Sequence, residues 1–245
     1  RIVVWTEYGL GDEILSASLL PELAATAAGC TVLCEPRLIT LFRRSFPACM
    51  VYPRTASQLE SADFKFALAD AARHLRADFA AFPARRSYLV ADPQRVAALK
   101  GGLPPGLNVG ISWRSASPST GAFKSMQLSD WQPVLSVPGV TFHSLQYGDT
   151  AVDIAAARTR TGVEIRTNPT IDAMTDLDGF AAQVAAMDLV ISVSNTTVHF
   201  AGALGTPVWT LVPHIARYWR YSRSKPTPCI CWAGSTATAA ICGTR

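Results

Sequence analysis

Short apolar runs rich in β-branched residues alternate with longer helical patterns along most of the chain. The apolar runs predict buried strands, and the segments between them predict helices. In the first part of the sequence the predicted strands are Ile2–Trp5, Thr31–Cys34, Met50–Tyr52 and Phe64–Leu68, and the predicted helices are Asp12–Ala28 and Arg37–Phe46. Strands that alternate with helices predict a parallel sheet covered by helices.

The alternation is interrupted at residues 82–105, which hold four prolines, a Gly101-Gly102 pair and one short predicted helix, Pro93–Lys100. This composition is typical of a connector between domains. The pattern then restarts with predicted strands at 108–113, 141–145, 163–166, 189–193 and 207–211, and predicted helices at 128–137, 151–158, 177–187 and 195–204. Ser129 or Asp130 is the expected N-cap of the helix at 128–137. We therefore predict two α/β domains, residues 1–92 and 93–245.

Composition excludes several classes of protein. The chain is 49% hydrophobic and only 16% charged, a balance opposite to that of disordered proteins. Its apolar runs are too short to cross a bilayer. The net charge of +4 is spread out without a block of Lys and Arg, so no nucleic-acid partner is expected. A small anionic ligand such as a phosphate compound fits this charge.

The six cysteines show no CxxC pair or zinc-site spacing, and we expect no metal. The sequence opens directly on an apolar strand rather than on a secretory leader. These features predict free thiols and a cytoplasmic location.

Two glycines and two carboxylates follow the first predicted strand, at Gly9, Gly11, Asp12 and Glu13. Glycine permits a tight turn and a close approach of the backbone to a ligand. The spacing is not the dinucleotide-binding G-x-G-x-x-G pattern, because residue 14 is isoleucine. Asp12 has two interpretations: it caps the following helix, or its carboxylate faces a ligand at the carboxyl edge of the sheet.

Two further polar clusters also follow predicted strands. Arg114 and Lys124 lie at the ends of a loop rich in Ser, Gly and Pro, where they either clamp phosphate oxygens or are ordinary surface cations. Gln146 and Tyr147 either border a planar base or form a polar turn.

The fourth cluster, Ser194–His199, runs from a strand into a helix. A helix N-terminus with small polar residues favours an anion. His199 either donates to that anion or is a buried structural residue. Since the carboxyl ends of parallel strands meet at one edge, the four clusters together predict a ligand crevice between the two domains.

Several segments taken together are specific to one group of enzymes: Gly9–Leu15, Tyr88–Leu89 with Ala91–Asp92, Val109–Arg114, Ser144–Gly148, Asp176–Ala181, Asp188–Ser192, Asn195–Trp209 and Trp219–Tyr221. Over about residues 1–223 the chain resembles the GT-B glycosyltransferase module found after tetratricopeptide repeats in many bacterial proteins. That module is related to the heptosyltransferases and, more distantly, to protein O-GlcNAc transferase (glycosyltransferase families 9 and 41).

The resemblance implies two Rossmann-like domains whose parallel sheets face each other across a cleft, the first on the acceptor side and the second binding a nucleotide sugar. It implies inverting, metal-independent sugar transfer to a protein or glycan hydroxyl, with flagellin as one candidate acceptor. The nucleotide sugar is a co-substrate, and no cofactor is expected.

The resemblance also assigns roles to residues. Asp12 would be the general base for the acceptor hydroxyl, in an acceptor-side loop with Gly9, Gly11 and Glu13. Negative charge grows on the departing nucleotide, so preorganised donors on the other side matter most. The implied donor-binding residues are Ser112, Arg114, Lys124, Gln146, Tyr147, Ser194, Asn195, Thr196, Thr197 and His199.

Three features depart from the family pattern. Ser194 replaces the usual Asp before Asn195, the repeats that commonly recruit a protein acceptor are missing from the sequence, and the resemblance stops near Pro228. We therefore expect a module cut from a longer protein, with a tail at 228–245 that is not native sequence. Two alternatives stay open: a sugar-nucleotide-binding or partner-binding module whose active site has decayed, and a GT-B-like sugar-nucleotide epimerase, which needs several acids.

Overall fold

The computed structural model describes residues 1–55 and 62–212. The segment Trp219–Tyr221 and the tail at 228–245 lie outside the described residues. The described part contains two parallel sheets, which confirms the predicted α/β class. The division at residues 92 and 93 stays a prediction.

The first sheet has the strand order β3-β2-β1-β4. Its strands are β1 Ile2–Trp5, β2 Cys30–Cys34, β3 Cys49–Pro53 and β4 Phe64–Ala67. The second sheet has the order β7-β6-β5-β8-β9. Its strands are β5 Leu107–Ser112, β6 Val140–Ser144, β7 Ile165–Arg166, β8 Leu189–Val193 and β9 Val208–Leu211.

In each sheet the first strand in sequence lies between two later ones, so β1 pairs with β2 and β4, and β5 pairs with β6 and β8. From this central strand one connection leads to one side of the sheet, and a later connection leads to the other side. A crevice opens between the two connections at the carboxyl end of the central strand, and ligands bind there in open α/β sheets. Ligand-binding residues are therefore expected in the loops after β1, β5 and β8.

Ten α-helices lie in the described part of the chain. They are α1 Leu10–Ser16, α2 Leu20–Thr26, α3 Ile39–Ser45, α4 Ala72–Leu75, α5 Pro93–Gly101, α6 Gly121–Lys124, α7 Gln132–Leu135, α8 Ala151–Thr161, α9 Leu177–Ala186 and α10 Thr196–Leu204. The last helix ends at Gly205, whose φ is 78°. This confirms the helix end predicted from the glycine at this position.

Two segments predicted as continuous helices are interrupted in the structure, so these two predictions were wrong, and each interruption lies beside a proline. The segment predicted as one helix from Asp12 to Ala28 is α1, a 3-10 turn and α2, with Pro21 in the first turn of α2. The segment predicted at 128–137 is a 3-10 turn followed by α7, with Pro133 in its first turn. Proline lacks an N–H and clashes with the carbonyl four residues earlier, so each helix restarts there.

Smaller errors concern element ends. Ser129 and Asp130 are not N-caps, because the 3-10 turn over Leu128–Trp131 begins after Gln127. The strand predicted at 163–166 is reduced to Ile165–Arg166, and the segment predicted as a helix from Arg37 begins as a 3-10 turn at Pro36–Leu38.

One apolar core joins the two halves of the chain. Helices α9 and α10 pack against elements of the first half, and the rings of Phe180 and Phe200 meet edge to face with centroids 5.1 Å apart inside this shared core. Ion pairs from Arg44 to Asp178 and from Arg95 to Asp176 hold the start of α9 against α3 and α5. The Arg95 guanidinium also lowers the pKa of the Asp176 carboxyl.

The predicted connector is partly buried rather than free in solvent. The backbone N–H groups of Tyr88 and Leu89 donate to the Ala203 carbonyl over 2.9 and 3.0 Å, and the Tyr88 hydroxyl donates to the Ile14 carbonyl over 3.0 Å. This segment therefore ties α1 to α10, which fixes the two loops that open onto the candidate site.

The three described cysteines, Cys30, Cys34 and Cys49, are free and buried, as predicted for this part of the chain. Burial raises the pKa of the Cys34 thiol to about 12. No helix in the described ranges has the length and apolar character needed to cross a membrane.

Candidate functional site

A cavity of about 600 Å³ is lined by residues from both halves of the chain, most of them in segments that follow the carboxyl ends of strands. Its volume lies in the usual range for small-molecule sites. The lining comprises Gly9–Asp12, Arg37, Ser115–Thr120, Lys124, Tyr147, Ala173, Met174, Leu177, Phe180, Ser194–Thr197, His199 and Phe200. Each of the four polar clusters noted in the sequence thus contributes residues to one cavity, the Arg114–Lys124 loop through Lys124 and the Gln146–Tyr147 cluster through Tyr147.

Asp12 both caps α1 and faces the cavity, as the two interpretations of the sequence allowed. It lies in the first turn of α1, where its Oδ2 accepts from the N–H of the N-cap Gly9 over 3.4 Å. That hydrogen bond is long, so its capping contribution is small. The carboxylate also lines the cavity and is half-buried. It is therefore available to a ligand from the side of the first sheet.

Glu13, its neighbour, lies behind the loop and not in the cavity lining. Its side chain is buried, pairs with Arg54 at 2.5 Å, and accepts hydrogen bonds from the Thr6 hydroxyl at 2.5 Å and the Glu35 N–H at 2.9 Å. Since adjacent helical residues point about 100° apart, Asp12 faces the ligand space while Glu13 faces the protein. Glu13 therefore holds β1, β2 and the Gly9 loop in register.

Ser112, Gln146 and Asn195 form a buried hydrogen-bonded hub that joins the ends of β5, β6 and β8. The Gln146 Oε1 accepts from the Ser112 hydroxyl (3.1 Å) and from the N–H groups of Trp113 (2.9 Å) and Arg114 (2.8 Å). The Asn195 Nδ2 donates to the Ser112 hydroxyl over 2.7 Å and to the Arg114 carbonyl over 2.8 Å. Ser112 and Gln146 do not line the main cavity, so the structure gives them supporting contacts there.

Asn195 serves two elements at once. Besides its contacts in the hub, its Oδ1 accepts from the Thr197 N–H over 2.9 Å and caps α10. The residue therefore aims the start of α10 into the cavity, where Ser194, Thr196, Thr197 and His199 are also part of the lining.

The loop after β5 separates its two cations. The Arg114 guanidinium turns away from the cavity, donating to the Asp149 carbonyl over 2.7 Å and pairing with Asp153 at 3.4 Å. Lys124, at the end of α6, remains in the lining. The predicted two-ended clamp is thus reduced to Lys124 in this structure, because a nearby carboxylate and carbonyl already hold Arg114.

Tyr147 fixes the shape of this loop. Its hydroxyl accepts from the Ala116 N–H over 2.5 Å, while its ring lines the main cavity and an adjoining polar cavity of about 130 Å³. A Cβ at Gly121 would lie 2.4 Å from the Ser115 carbonyl oxygen, so glycine allows the loop to close on itself. The loop therefore brings several backbone and hydroxyl groups to the cavity wall.

Gly11 and His199 meet where α1 crosses α10. A Cβ placed on Gly11 would lie 2.7 Å from the Cδ2 of His199 and 3.3 Å from its Nε2. Gly11 lies within a helix, so its value here is the room it leaves for the imidazole rather than backbone freedom. The half-buried His199 ring thus reaches the cavity beside the Asp12 loop.

Sequence reasoning missed Arg37. It follows β2, and its guanidinium lines the cavity while donating to the Met174 carbonyl over 2.6 Å. The rule that ligand residues follow parallel strands could have found it. The loop holding Met174 has no comparable motif; Asp172 shapes it by accepting from the Met174 N–H over 2.8 Å.

The charge of the cavity wall favours an anion. Among the described residues that line it, Arg37, Lys124 and His199 are basic groups and Asp12 is the acid, although Arg37 also pairs with Glu35 at 2.8 Å. The helix N-terminus of α10 adds a partial positive charge on the same side as Lys124. The lining therefore combines several groups whose charge suits an anion with one carboxylate.

No family model matches the chain. Protein FlbA of Caulobacter vibrioides is 39% identical over 234 residues, which cover 86% of this chain and 39% of FlbA. The chain therefore spans about two fifths of the length of this curated relative.

Several solved glycosyltransferases share the architecture. The glycosyl transferase family 9 protein of Veillonella parvula matches with a TM-score of 0.64 and 12% identity over 89% of this chain and 85% of that one. The E. coli ADP-heptose LPS heptosyltransferase II matches with a TM-score of 0.61 and 14% identity over 86% and 84%. The chain has the heptosyltransferase fold. A third structure with this heptosyltransferase fold, E. coli WaaC with ADP-2-deoxy-2-fluoro heptose, matches with a TM-score of 0.55 and 13% identity over 89% and 90%.

The heptosyltransferase-like part of the predicted resemblance is thereby confirmed at the level of fold. The link to tetratricopeptide-repeat proteins and to family 41 stays a prediction.

Proposed function

We propose that the chain is the catalytic module of a glycosyltransferase that moves a sugar from a nucleotide sugar to a hydroxyl group, with inversion and without a metal. The observation that carries the proposal is the content of the cavity lining: one carboxylate, Asp12, shares the cavity with Lys124 and the start of α10, whose charges suit a phosphate group. The heptosyltransferase fold supports it.

The carboxylate and the cationic groups match the two halves of such a reaction. The acceptor oxygen attacks the anomeric carbon, Asp12 takes the acceptor proton, and the bond between that carbon and the phosphate oxygen breaks. The nucleotide leaves with the electron pair, so negative charge grows beside the part of the lining that holds Lys124, His199, Thr196 and Thr197. Attack from the side opposite the leaving group inverts the configuration at the anomeric carbon.

The donor's base has a candidate position beside the phosphates. The polar cavity of about 130 Å³ adjoins the main one and shares Tyr147, Ala173 and Phe180 with it. Tyr147 and Phe180 supply aromatic surface, and Gln146, Asn168 and Gln183 supply hydrogen-bonding side chains in the lining. In this scheme Gln146 borders the nucleotide from the hub, and Ser112 and Asn195 act by holding the strand ends.

The acceptor in this proposal is a hydroxyl on a protein or a glycan, and the reaction takes place in the cytoplasm. Flagellin remains one candidate acceptor. The whole protein to which the module belongs determines which acceptor is presented.

A thermal-shift screen against UDP, GDP, CMP and ADP sugars tests donor binding. At a concentration 100 times Kd, binding stabilises a protein by about 2.7 kcal/mol, which raises the Tm of a chain of this size by about 5–10 °C. The nucleotide sugar that gives the largest rise in Tm is then used as donor in a hydrolysis and transfer assay. Adding EDTA to this assay should leave the rate unchanged, because the proposed reaction needs no metal.

Asp12→Asn separates catalysis from binding. It should lower turnover by about 10²–10⁴-fold while leaving the donor Kd within a factor of about three, because asparagine keeps the size of the side chain and other residues are assigned to the phosphates. A wild-type protein that binds the donor but never turns it over would favour the decayed binding module, for which Ser194 in place of the usual Asp is the motivating feature. The single carboxylate in the described lining argues against the epimerase alternative.

A further inference from the structure

Cys30 and Cys49 lie directly opposite each other in the first sheet. They are the first residues of β2 and β3, and the parallel register pairs one with the other. Residues paired in this way point to the same face of a sheet, and both side chains belong to the same apolar core. Neighbouring strands lie about 4.8 Å apart, and the two Cα atoms of a disulfide are usually about 4.4–6.8 Å apart. The backbone therefore already holds the two cysteines at a separation that a disulfide can span.

The two thiols differ in reactivity and in access. The Cys30 thiol donates a hydrogen bond to the Cys49 sulfur, which lowers the pKa of Cys49, whereas the same hydrogen bond and burial raise the pKa of Cys30. Since the thiolate is the reactive form of cysteine, Cys49 is the nucleophile of the pair. Cys49 is 9% exposed and follows the exposed residues Pro47 and Ala48, whereas Cys30 is 2% exposed. A small oxidant therefore reaches Cys49 before Cys30.

Cys34, at the other end of β2, lacks both features. Its partner in the register is Pro53 rather than a cysteine. Its side chain is fully buried, and this burial raises the pKa of its thiol to about 12. Cys34 is therefore a matched control, because it is a buried cysteine of the same strand that has no thiol opposite it.

We propose that Cys30 and Cys49 are a redox modification site, at which a peroxide converts the two thiols into a reversible disulfide. The Cys49 thiolate attacks one peroxide oxygen, the O–O bond breaks, and a hydroxide ion leaves, which produces a sulfenic acid on Cys49. The Cys30 sulfur then attacks the Cys49 sulfur, the S–O bond breaks, and the hydroxyl leaves as water with the Cys30 proton. The two sulfurs lose two electrons and the peroxide gains them. A thiol reductant restores both cysteines by thiol–disulfide exchange.

The disulfide would close the segment that contains α3. This segment carries Arg44, which pairs with Asp178 of the second half of the chain. Closing a loop of about 20 residues stabilises a protein mainly by restricting the unfolded chain, so oxidation should raise the Tm by about 6–12 °C. Neither cysteine lines the candidate cavity, so donor binding should be the same in the reduced and the oxidised protein.

The experiment compares the full chain before and after treatment with hydrogen peroxide. After free thiols are blocked, the protein is digested without reductant, and wild type should yield one peptide pair joined through Cys30 and Cys49 that dithiothreitol separates. This measurement needs no variant, so it holds even where a cysteine substitution prevents folding.

Thermal unfolding supplies the second readout. The rise in Tm on oxidation should disappear in Cys30→Ala and in Cys49→Ala, and it should persist in Cys34→Ala. Each variant is compared with its own reduced form, so the stability cost of the substitution itself does not enter the difference.

Three results overturn the proposal. In the first, Cys30 and Cys49 still react with the blocking reagent after a peroxide treatment that leaves the protein folded. In the second, Cys49 is oxidised to a sulfinic acid or joined to another cysteine instead of Cys30. In the third, the rise in Tm persists in Cys49→Ala. None of these results depends on a nucleotide sugar, so the proposed function stands or fails separately.

Discussion

Replacing Gly11 by alanine tests how the two halves of the site are fitted together. The added Cβ would lie 2.7 Å from the Cδ2 of His199 and 3.3 Å from its Nε2. Carbon atoms in good contact are about 3.5–4.0 Å apart, so the imidazole must move by about 1 Å. The ring is half-buried at the cavity wall and has space on the ligand side, so it can move.

Two effects on stability oppose each other. Alanine is preferred over glycine inside a helix by about 1 kcal/mol, whereas overpacking costs about 1–3 kcal/mol. We expect a net loss of about 0–2 kcal/mol in the free energy of unfolding. The effect on function should be larger, because a displacement of about 1 Å in a group that positions the substrate can cost about 100-fold in rate.

The assay combines urea unfolding with donor hydrolysis, and it has a matched control. Gly101 also lies in a helix, and a Cβ there meets nothing within 4 Å. Gly101→Ala should raise stability by about 0.4–1 kcal/mol and leave activity unchanged. In the His199→Ala background, Gly11→Ala should become stabilising, since the clashing ring is gone.

The reasoning would be refuted by a Gly11→Ala variant that is stabilised as much as Gly101→Ala and hydrolyses the donor at the wild-type rate. It would also be refuted if the double mutant showed the same stability cost as Gly11→Ala alone, because the steric partner would then not be His199.

Two further predictions concern stability. Arg54→Ala should destabilise the protein by about 2–4 kcal/mol in urea unfolding, because it leaves the buried Glu13 carboxylate without its cation; Arg73→Ala, at an exposed ion pair, is the control and should change stability by less than about 1 kcal/mol. The hydrogen bond from Arg76 lowers the pKa of the Glu22 carboxyl, so this pair stabilises the fold above the unfolded-state pKa, and the stabilisation is lost as pH falls through the lower folded-state pKa. Urea unfolding between pH 6 and 3 should show stability falling below about pH 4.5 and a shallower fall in Glu22→Gln; an equal fall in both proteins would contradict this assignment.

Strand positions were predictable because a parallel strand covered on both faces needs a continuous apolar run. Ile2–Trp5 and Leu189–Val193 have the same bounds in the sequence pattern and in the structure. Helix existence was also predictable from periodicity. Helix continuity does not follow from periodicity, because Pro21 and Pro133 lie inside continuous apolar patterns and proline interrupts the helix that the pattern predicts.

The candidate site was predictable as a place but not in its detail. Residues after parallel strands reach the same edge of a sheet, and this rule found Asp12, Lys124, Tyr147 and the Ser194–His199 segment. It cannot tell which way a side chain turns once the strand has ended. Arg114 was therefore assigned to a phosphate clamp, although Asp149 and Asp153 draw it aside.

By itself, the sequence determined two parallel α/β units, four polar clusters at strand ends, and a resemblance to nucleotide-sugar glycosyltransferases. These follow from local patterns, since burial of a strand and capping of a helix depend on neighbouring residues. Only the tertiary structure decided that Ser112 and Gln146 support the strand ends, that Glu13 is buried and pairs with Arg54, and that Gly11 leaves room for His199. Such contacts join residues far apart in the chain, and their geometry exists only after the two halves pack on one apolar core.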